Sequence, residues 1–371
     1  MNNSPNSSID RQSHLDAIRG IAGLIIVLLH FLAAFYPYSI FGTQASYRQQ
    51  LSLEDLAFIP PFGLFVAGRP AVCLFFILSG YVLSFSHLGL PGRTAKLIAA
   101  IMTRPVRLGG LMWFTMVAAA LIWYLDGFHN VSVAALSNSK PWFIYPWLGP
   151  FQPEQFFIDL FTASFSRGFH YNAPLWTIEI ELYGSIMVYL FLLLVGNFKY
   201  RWVLCLAFII IFRTSLYQGF WLGLLIADLV KHQHLRASTN VWPPLLLFTV
   251  ATFFACNQYF VTQEFRAGNT IYGFLPSDQG FDTGYPMLAA LLVFLSLKIS
   301  PHFQRALTHP LLQYFGRISY ALYVIHFIVL GSLASWMFLT LNQYLSYGVT
   351  FIVVFVSNVM VIIGLSHILT R

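Results

Sequence analysis

The sequence predicts an all-α, polytopic membrane protein of about ten transmembrane helices. Two observations carry that prediction. Across 371 residues, 58% are hydrophobic and only 9% charged, with a mean hydropathy of +0.70. The apolar runs are also long and continuous rather than alternating. A bilayer core admits only helices or closed barrels, because every backbone polar group must find a partner inside it, and continuous apolar runs select helices.

Ten segments read as spans, at residues 15–38, 66–86, 108–125, 174–195, 201–213, 216–230, 242–258, 285–299, 319–341 and 346–369. The first runs from Leu15 through His30. The second carries Phe75-Phe-Ile-Leu-Ser79-Gly80-Tyr81, and the third opens behind a pair of arginines. Pro174 suits the first turn of the fourth. The fifth and sixth are near the lower length for a crossing and fit tilted helices or a helical hairpin. The ninth opens near Ser319, and the tenth stops two residues before Arg371.

With the amino terminus in the cytoplasm, fourteen of the twenty Lys and Arg residues fall inside, among them Arg11, and six fall outside, among them Lys140. That bias places both termini in the cytoplasm. The polar residues 1–14 read as a disordered cytoplasmic tail, and residues 15–371 as one integral-membrane domain. The first apolar run is too long for a cleavable signal peptide and lacks a small-residue cleavage site. The longest exterior loop, residues 126–173, is rich in Trp and Phe (Trp142, Phe143, Trp147, Phe151), which suits an interfacial or re-entrant segment. Cys73, Cys205 and Cys256 all lie in apolar stretches with no metal-ligand spacing and no disulfide framework, so they read as small buried residues and no metal is expected. No basic stretch interleaved with aromatics points to nucleic acid.

Ionisable groups at membrane depth are costly and mark functional sites. Arg19 and His30 lie eleven residues apart, on nearly one face of a helix and about 16 Å apart along it. His30 reads either as a general base for a hydroxyl proton or as a core histidine bonded to a neighbouring helix. Glu181 reaches a similar depth from the other side and could orient that imidazole, or stay protonated against a neighbouring helix. Glu179 points about 200° away from it. Arg104 and Arg107 are i,i+3 neighbours that suit a phosphate or serve as positive-inside anchors; Arg19 carries the same two readings. Ser79 and Gly80 let helices approach closely. His326, about seven residues into its span and so about 10 Å deep, falls at a different depth from His30. The two are not expected to pair, and His326 reads as structural or as a wall of a donor site.

Together these elements resemble the integral-membrane acyltransferase family 3, which O-acylates polysaccharides, lipids and secondary metabolites. The resemblance spans nearly the whole chain: Leu15-Asp-Ala-Ile-Arg19-Gly leading to His30, Phe75-Phe-Ile-Leu-Ser79-Gly80, Arg104-x-x-Arg107, Leu175-Trp176-Thr-Ile-Glu-Ile-Glu181, and Ile318-Ser-Tyr320-Ala-Leu-Tyr323-Val-Ile-His326. It implies a roughly ten-helix fold, no bound cofactor, acyl-coenzyme A as cytoplasmic co-substrate, and an acceptor hydroxyl on a glycan, lipid or metabolite that is often extracytoplasmic. By the same resemblance His30 is the catalytic base, and Arg104 and Arg107, helped by Arg19, grip the donor phosphates. Thr177 and Ile178 replace the serine and leucine of the family's Trp-Ser-Leu-x-x-Glu pattern, whose glutamate falls on Glu181. Ser79, Trp176, Glu179, Tyr320 and His326 are the possible supporting residues. Some members carry an appended hydrolase-like domain; none follows here, so the membrane domain is expected to acylate the final acceptor itself. Acetyl is the default acyl group and the cell membrane the expected location.

A transporter or flippase for a glycan, lipid or metabolite is the main alternative, since intramembrane His and Glu can relay protons. The sequence shows no inverted repeat of broken helices to favour it. A scaffolding protein would leave Arg19, His30 and Glu181 unexplained.

Overall fold

The computed structural model describes residues 13–48, 53–89, 93–139, 142–257, 260–276 and 284–371. Among the described residues there are helices and no strands. Each of the ten expected segments contains a helix: α1 (Ser13–Phe35), α2 (Gly68–Phe85), α3 (Arg93–Tyr124), α4 (Trp176–Val195), α5 (Arg201–Ile211), α6 (Gln218–Lys231), α7 (Trp242–Ala255), α8 (Gly284–Ile299), α9 (Pro310–Val329) and α10 (Tyr347–Leu369). After α9 a π-turn at Leu330–Ala334 leads into Ser335–Leu341. Six helical stretches, those of α1 to α4, α9 with its extension, and α10, are long and apolar enough to cross a bilayer. The protein is therefore an all-helical membrane protein. The tail expected over 1–14 lies, through residue 12, outside the described residues, as do Arg11 and Lys140. Ser13 and His14 already belong to α1.

Two helices begin well before the apolar runs that announced them. α3 starts at Arg93 and carries Pro105 in its interior. Its first four turns carry Arg93, Lys96, Arg104 and Arg107, four charges that keep that stretch from registering as a span. α9 starts at Pro310, where proline occupies the first turn and the His309 side chain accepts from the Leu311 amide. Hydropathy reports only the part of a helix in the oily slab, so both starts were displaced inward.

Close helix crossings are made by glycine. A Cβ on Gly20 would lie 2.6 Å from the backbone nitrogen of Gly316, so α1 and α9 touch backbone to backbone. Three residues on, a Cβ at Gly23 would meet the side chain of Leu322 and the carbonyl of Ser319. Residues of α1 thus face residues of α9 in constant register, and the two helices run parallel. Without a hydrophobic drive between helices in lipid, such small-residue contacts supply much of the association. Gly80 does the same for α2 against α6, where its Cβ would sit 2.6 Å from the Cα of Phe220. The Ser79-Gly80 pair is thus a packing site as well as a cavity wall.

The described residues of 126–173, expected as an exterior loop, are folded and send several of their rings into the protein. Residues Asn130–Ser137 and Pro153–Thr162 form short helices, and Phe143, Trp147 and Phe156 are buried inside the protein. Trp147 holds a left-handed backbone (φ 58°) that disfavours a bulky residue. It is pinned there by a bond from its Nε1 to the Tyr171 carbonyl (2.8 Å) and by stacking on Phe128. All three cysteines are buried.

Gly20→Leu is expected to overpack the α1–α9 crossing and destabilise by about 1–3 kcal/mol or more, read as a lower thermal midpoint in detergent. Gly110, whose Cβ would meet nothing within 4 Å, should take the same substitution without loss. Equal behaviour of the two variants would refute the crossing.

Candidate active site

A cavity of about 190 Å³ opens between α1, α2, α3, α4 and α9. Arg19, Ser79, Arg104, Glu181 and Ser319 gather at one end; Val72, Phe75, Thr177 and Tyr323 form the other. The order follows from the helices. Along α9 the wall passes from Ser319 to Tyr323, and along α2, which runs the opposite way, from Ser79 back to Val72. The cavity is therefore charged at one end and aromatic at the other.

At the charged end Glu181 accepts from Arg104 Nη2 and from Ser79 Oγ (2.8 Å), while Arg104 Nε donates to Ser185 Oγ (2.9 Å). Both side chains of the ion pair are about 13–14% exposed. The pair cancels its own charge. Arg19 also faces the cavity and makes no hydrogen bond or ion pair among the described residues, so the cavity keeps one uncompensated cation. Arg107 is exposed and off the cavity wall. The expected arginine doublet is thus divided: one member is turned inward by Glu181 and Ser185, the other outward.

Glu181 does not orient His30, a second departure from the expectation. The Nδ1 of His30 instead lies 2.8 Å from Nε2 of His326. Depth, counted from the true start of α9, explains why. His326 is sixteen residues from Pro310, about 24 Å along the helix, and His30 seventeen from Ser13, about 26 Å. Both histidines stand ten residues beyond the glycines that touch. His326 is fully buried and its Nδ1 lies 3.2 Å from the carbonyl oxygen of Leu322, four residues back. His30 is partly buried between rings. It stacks on His326 (centroids 5.0 Å) and on Trp142 (5.6 Å), and meets the edge of Phe327 (5.4 Å). The loop of residues 126–173 thus covers the histidine pair with Trp142, a role that its composition alone did not specify. The cavity stops at Tyr323, whose ring lies 6.0 Å from His326 and 6.1 Å from Phe75.

The supporting residues divide likewise. Tyr320 lines the cavity and donates to the Leu108 carbonyl (2.6 Å), tying α9 to α3. Thr177 donates to the Pro174 carbonyl and pairs with the Tyr323 hydroxyl (2.9 Å). Trp176 faces the guanidinium of Arg69 (5.6 Å) and, like Glu179, is not on the cavity wall.

The loop of residues 126–173 is anchored by Asp159, which accepts from Gln155 (2.8 Å), Arg167 (3.1 Å) and Tyr171 (2.9 Å). Burial alone would raise the Asp159 carboxyl, but these donors together hold it below the usual carboxylate range. Burial, and then the bond to Asp159, push the Tyr171 hydroxyl up.

The helices thus enclose an arginine-lined cavity that ends at Tyr323, beside the His30–His326 pair. The chain belongs to the acyltransferase 3 family: the family's model, described as "Acyltransferase domain", matches residues 13–370. The protein is an acyltransferase. It is 26% identical to "O-acetyltransferase PaAT-1" of Phomopsis amygdali, over 86% of this chain and 72% of the relative. It is 22% identical to "Acyltransferase clz18" of Cochliobolus lunatus (87% and 84%) and 21% identical to "Acyltransferase R4" of a Phoma species (88% and 84%). No solved structure matches.

Two outcomes test this geometry. Arg104→Met alone should cost about 3 kcal/mol by leaving a buried carboxylate unpaired. Adding Glu181→Leu should recover most of that, and additive losses in a double-mutant cycle would mean that the pair is not coupled. Because the folded Asp159 carboxyl sits below its unfolded value, its stabilisation is present above pH ~4 and fades as pH falls further. Asp159→Asn should remove that acid-side component, read as loop proteolysis against pH.

Proposed function

We propose that the protein is an integral-membrane O-acyltransferase that moves an acyl group, acetyl by default, from acyl-coenzyme A to a hydroxyl of a glycan, lipid or secondary metabolite. The name of the Phomopsis relative, an O-acetyltransferase, supports an oxygen acceptor. The observation that carries the reading is the polarised cavity, with the Arg19 guanidinium, unpartnered among the described residues, at one end and the His30–His326 pair beyond the other.

In this reading all ten apolar helices cross the cell membrane with both termini cytoplasmic, so Arg19 and Arg104 lie on the cytoplasmic side. The donor approaches from there. At about 190 Å³ the cavity is smaller than the ~300–1,000 Å³ of a drug-sized site, so it takes the slender thioester arm and leaves the nucleotide outside. Arg19 is the primary phosphate partner, because Arg104 already has a counterion. The thioester passes Phe75 and Tyr323 toward His30. An imidazole nitrogen of His30 takes the proton of the acceptor hydroxyl, and the oxygen bonds to the thioester carbonyl carbon. The C–S bond then breaks, and the thiolate leaves with the proton returned from the imidazolium. Ser79 donates to Glu181, but that carboxylate is already engaged by Arg104, so the attack in this reading is direct. No bound cofactor is required.

The test uses purified protein with labelled acetyl-coenzyme A, after mass spectrometry of glycans and lipids from cells with and without the gene has identified an ester-bearing acceptor. His30→Ala should lower transfer by about 10²–10⁴-fold in a protein that still inserts. Activity retained within about tenfold would refute the base. Arg19→Ala should raise the donor KM by about tenfold or more with a smaller change in kcat. The reverse split would refute the phosphate role.

A further inference from the structure

His30 and His326 meet nitrogen to nitrogen at 2.8 Å. Such a contact holds one hydrogen, so one ring donates and the other accepts. The geometry at the other end of His326 decides which. Its Nδ1 faces the carbonyl oxygen of Leu322 at 3.2 Å, and a carbonyl can only accept, so Nδ1 carries the hydrogen. A neutral imidazole has one N–H, which leaves His326 Nε2 as a bare acceptor. The hydrogen in the bridge therefore belongs to Nδ1 of His30. That ring has then spent its one N–H, and its Nε2 carries a free lone pair. Stacking on Trp142 and the edge contact with Phe327 resist a ring flip that would exchange the two nitrogens.

We propose that His326 is the positioning residue of the site: relaying the fixed polarity of the Leu322 carbonyl, it holds His30 in the Nδ1–H tautomer so that Nε2 faces the reaction as the base. This rests on the reading of His30 as base, but the tautomer can be measured without any turnover. The logic parallels that of a carboxylate orienting a catalytic histidine, with a neutral imidazole in its place. A neutral acceptor avoids bringing a second charge into the bilayer. When His30 takes the acceptor's proton, its Nδ1–H stays in the bridge and His326 keeps its own hydrogen.

The experiment is nitrogen NMR of isotope-labelled histidine in the full chain in lipid bilayers, with His30 assigned by difference against His30→Gln. In the wild type His30 Nε2 should give the signal of an unprotonated ring nitrogen and Nδ1 that of a protonated one; the opposite assignment overturns the proposal. His326→Leu should move His30 to the other tautomer or a mixture, and an unchanged tautomer also overturns it. With acetyl-coenzyme A and the identified acceptor, His326→Leu should lower kcat by about 10²–10⁴-fold with the donor KM within about twofold. His326→Gln, which restores an acceptor oxygen, should recover at least tenfold of that. If His30→Ala abolishes transfer while His326→Leu does not, the base stands and the positioning role falls. If both variants retain transfer, the base reading itself is wrong.

Discussion

The contact between Gly20 and Gly316 sets the register on which the site depends. Two parallel helices meet there at backbone distance, with a glycine on each side. Every pairing further along α1 and α9 is then determined by equal steps along two rods of the same pitch. Ten residues on, the rule delivers His30 to His326. A shift of one residue would rotate each ring by about 100° and separate the nitrogens. Glycine at the crossing thus sets how the two imidazoles pair, although it is about 15 Å from them along the helix.

The charged end of the cavity shows a second constraint. Two arginines and a glutamate sit among helices where an uncompensated ion is expensive. Glu181 satisfies Arg104 with help from Ser79 and Ser185, which makes that guanidinium a built-in part of the wall. Arg19 remains as the cation for which the protein supplies no partner among the described residues. An anionic group entering the cavity would complete its charge balance. Beyond Arg19, the wall toward Tyr323 is mostly apolar.

Much of this was legible in the sequence. All ten apolar segments contain helices, and Arg19, Ser79, Arg104, Glu181 and Tyr320 line one cavity. The errors share a cause. Hydropathy locates the slab, not the helix, so the starts of α3 and α9 were placed late, and His326 was assigned a depth about nine residues too shallow. The signal that would have corrected it was present. Gly20 precedes His30 by ten residues, and Gly316 precedes His326 by the same number. Two helices bearing the same Gly-to-His interval, packed in parallel at their glycines, must bring their histidines together. The division of Arg104 from Arg107 was less accessible, because it depends on Glu181 and Ser185 arriving from α4. So was the stacking of Trp142 on His30, which rests on a loop fold with no periodicity to read.

The two imidazoles are separated by 296 residues of chain. At ribosomal rates of roughly 5–20 residues per second, α1 is made roughly 15 to 60 s before its partner emerges. Through that interval a helix carrying an arginine and a histidine must be held in or beside the insertion machinery without the neighbour that satisfies it. The two imidazoles therefore come together only near the end of synthesis, and chains that stop short of α9 lack the pair.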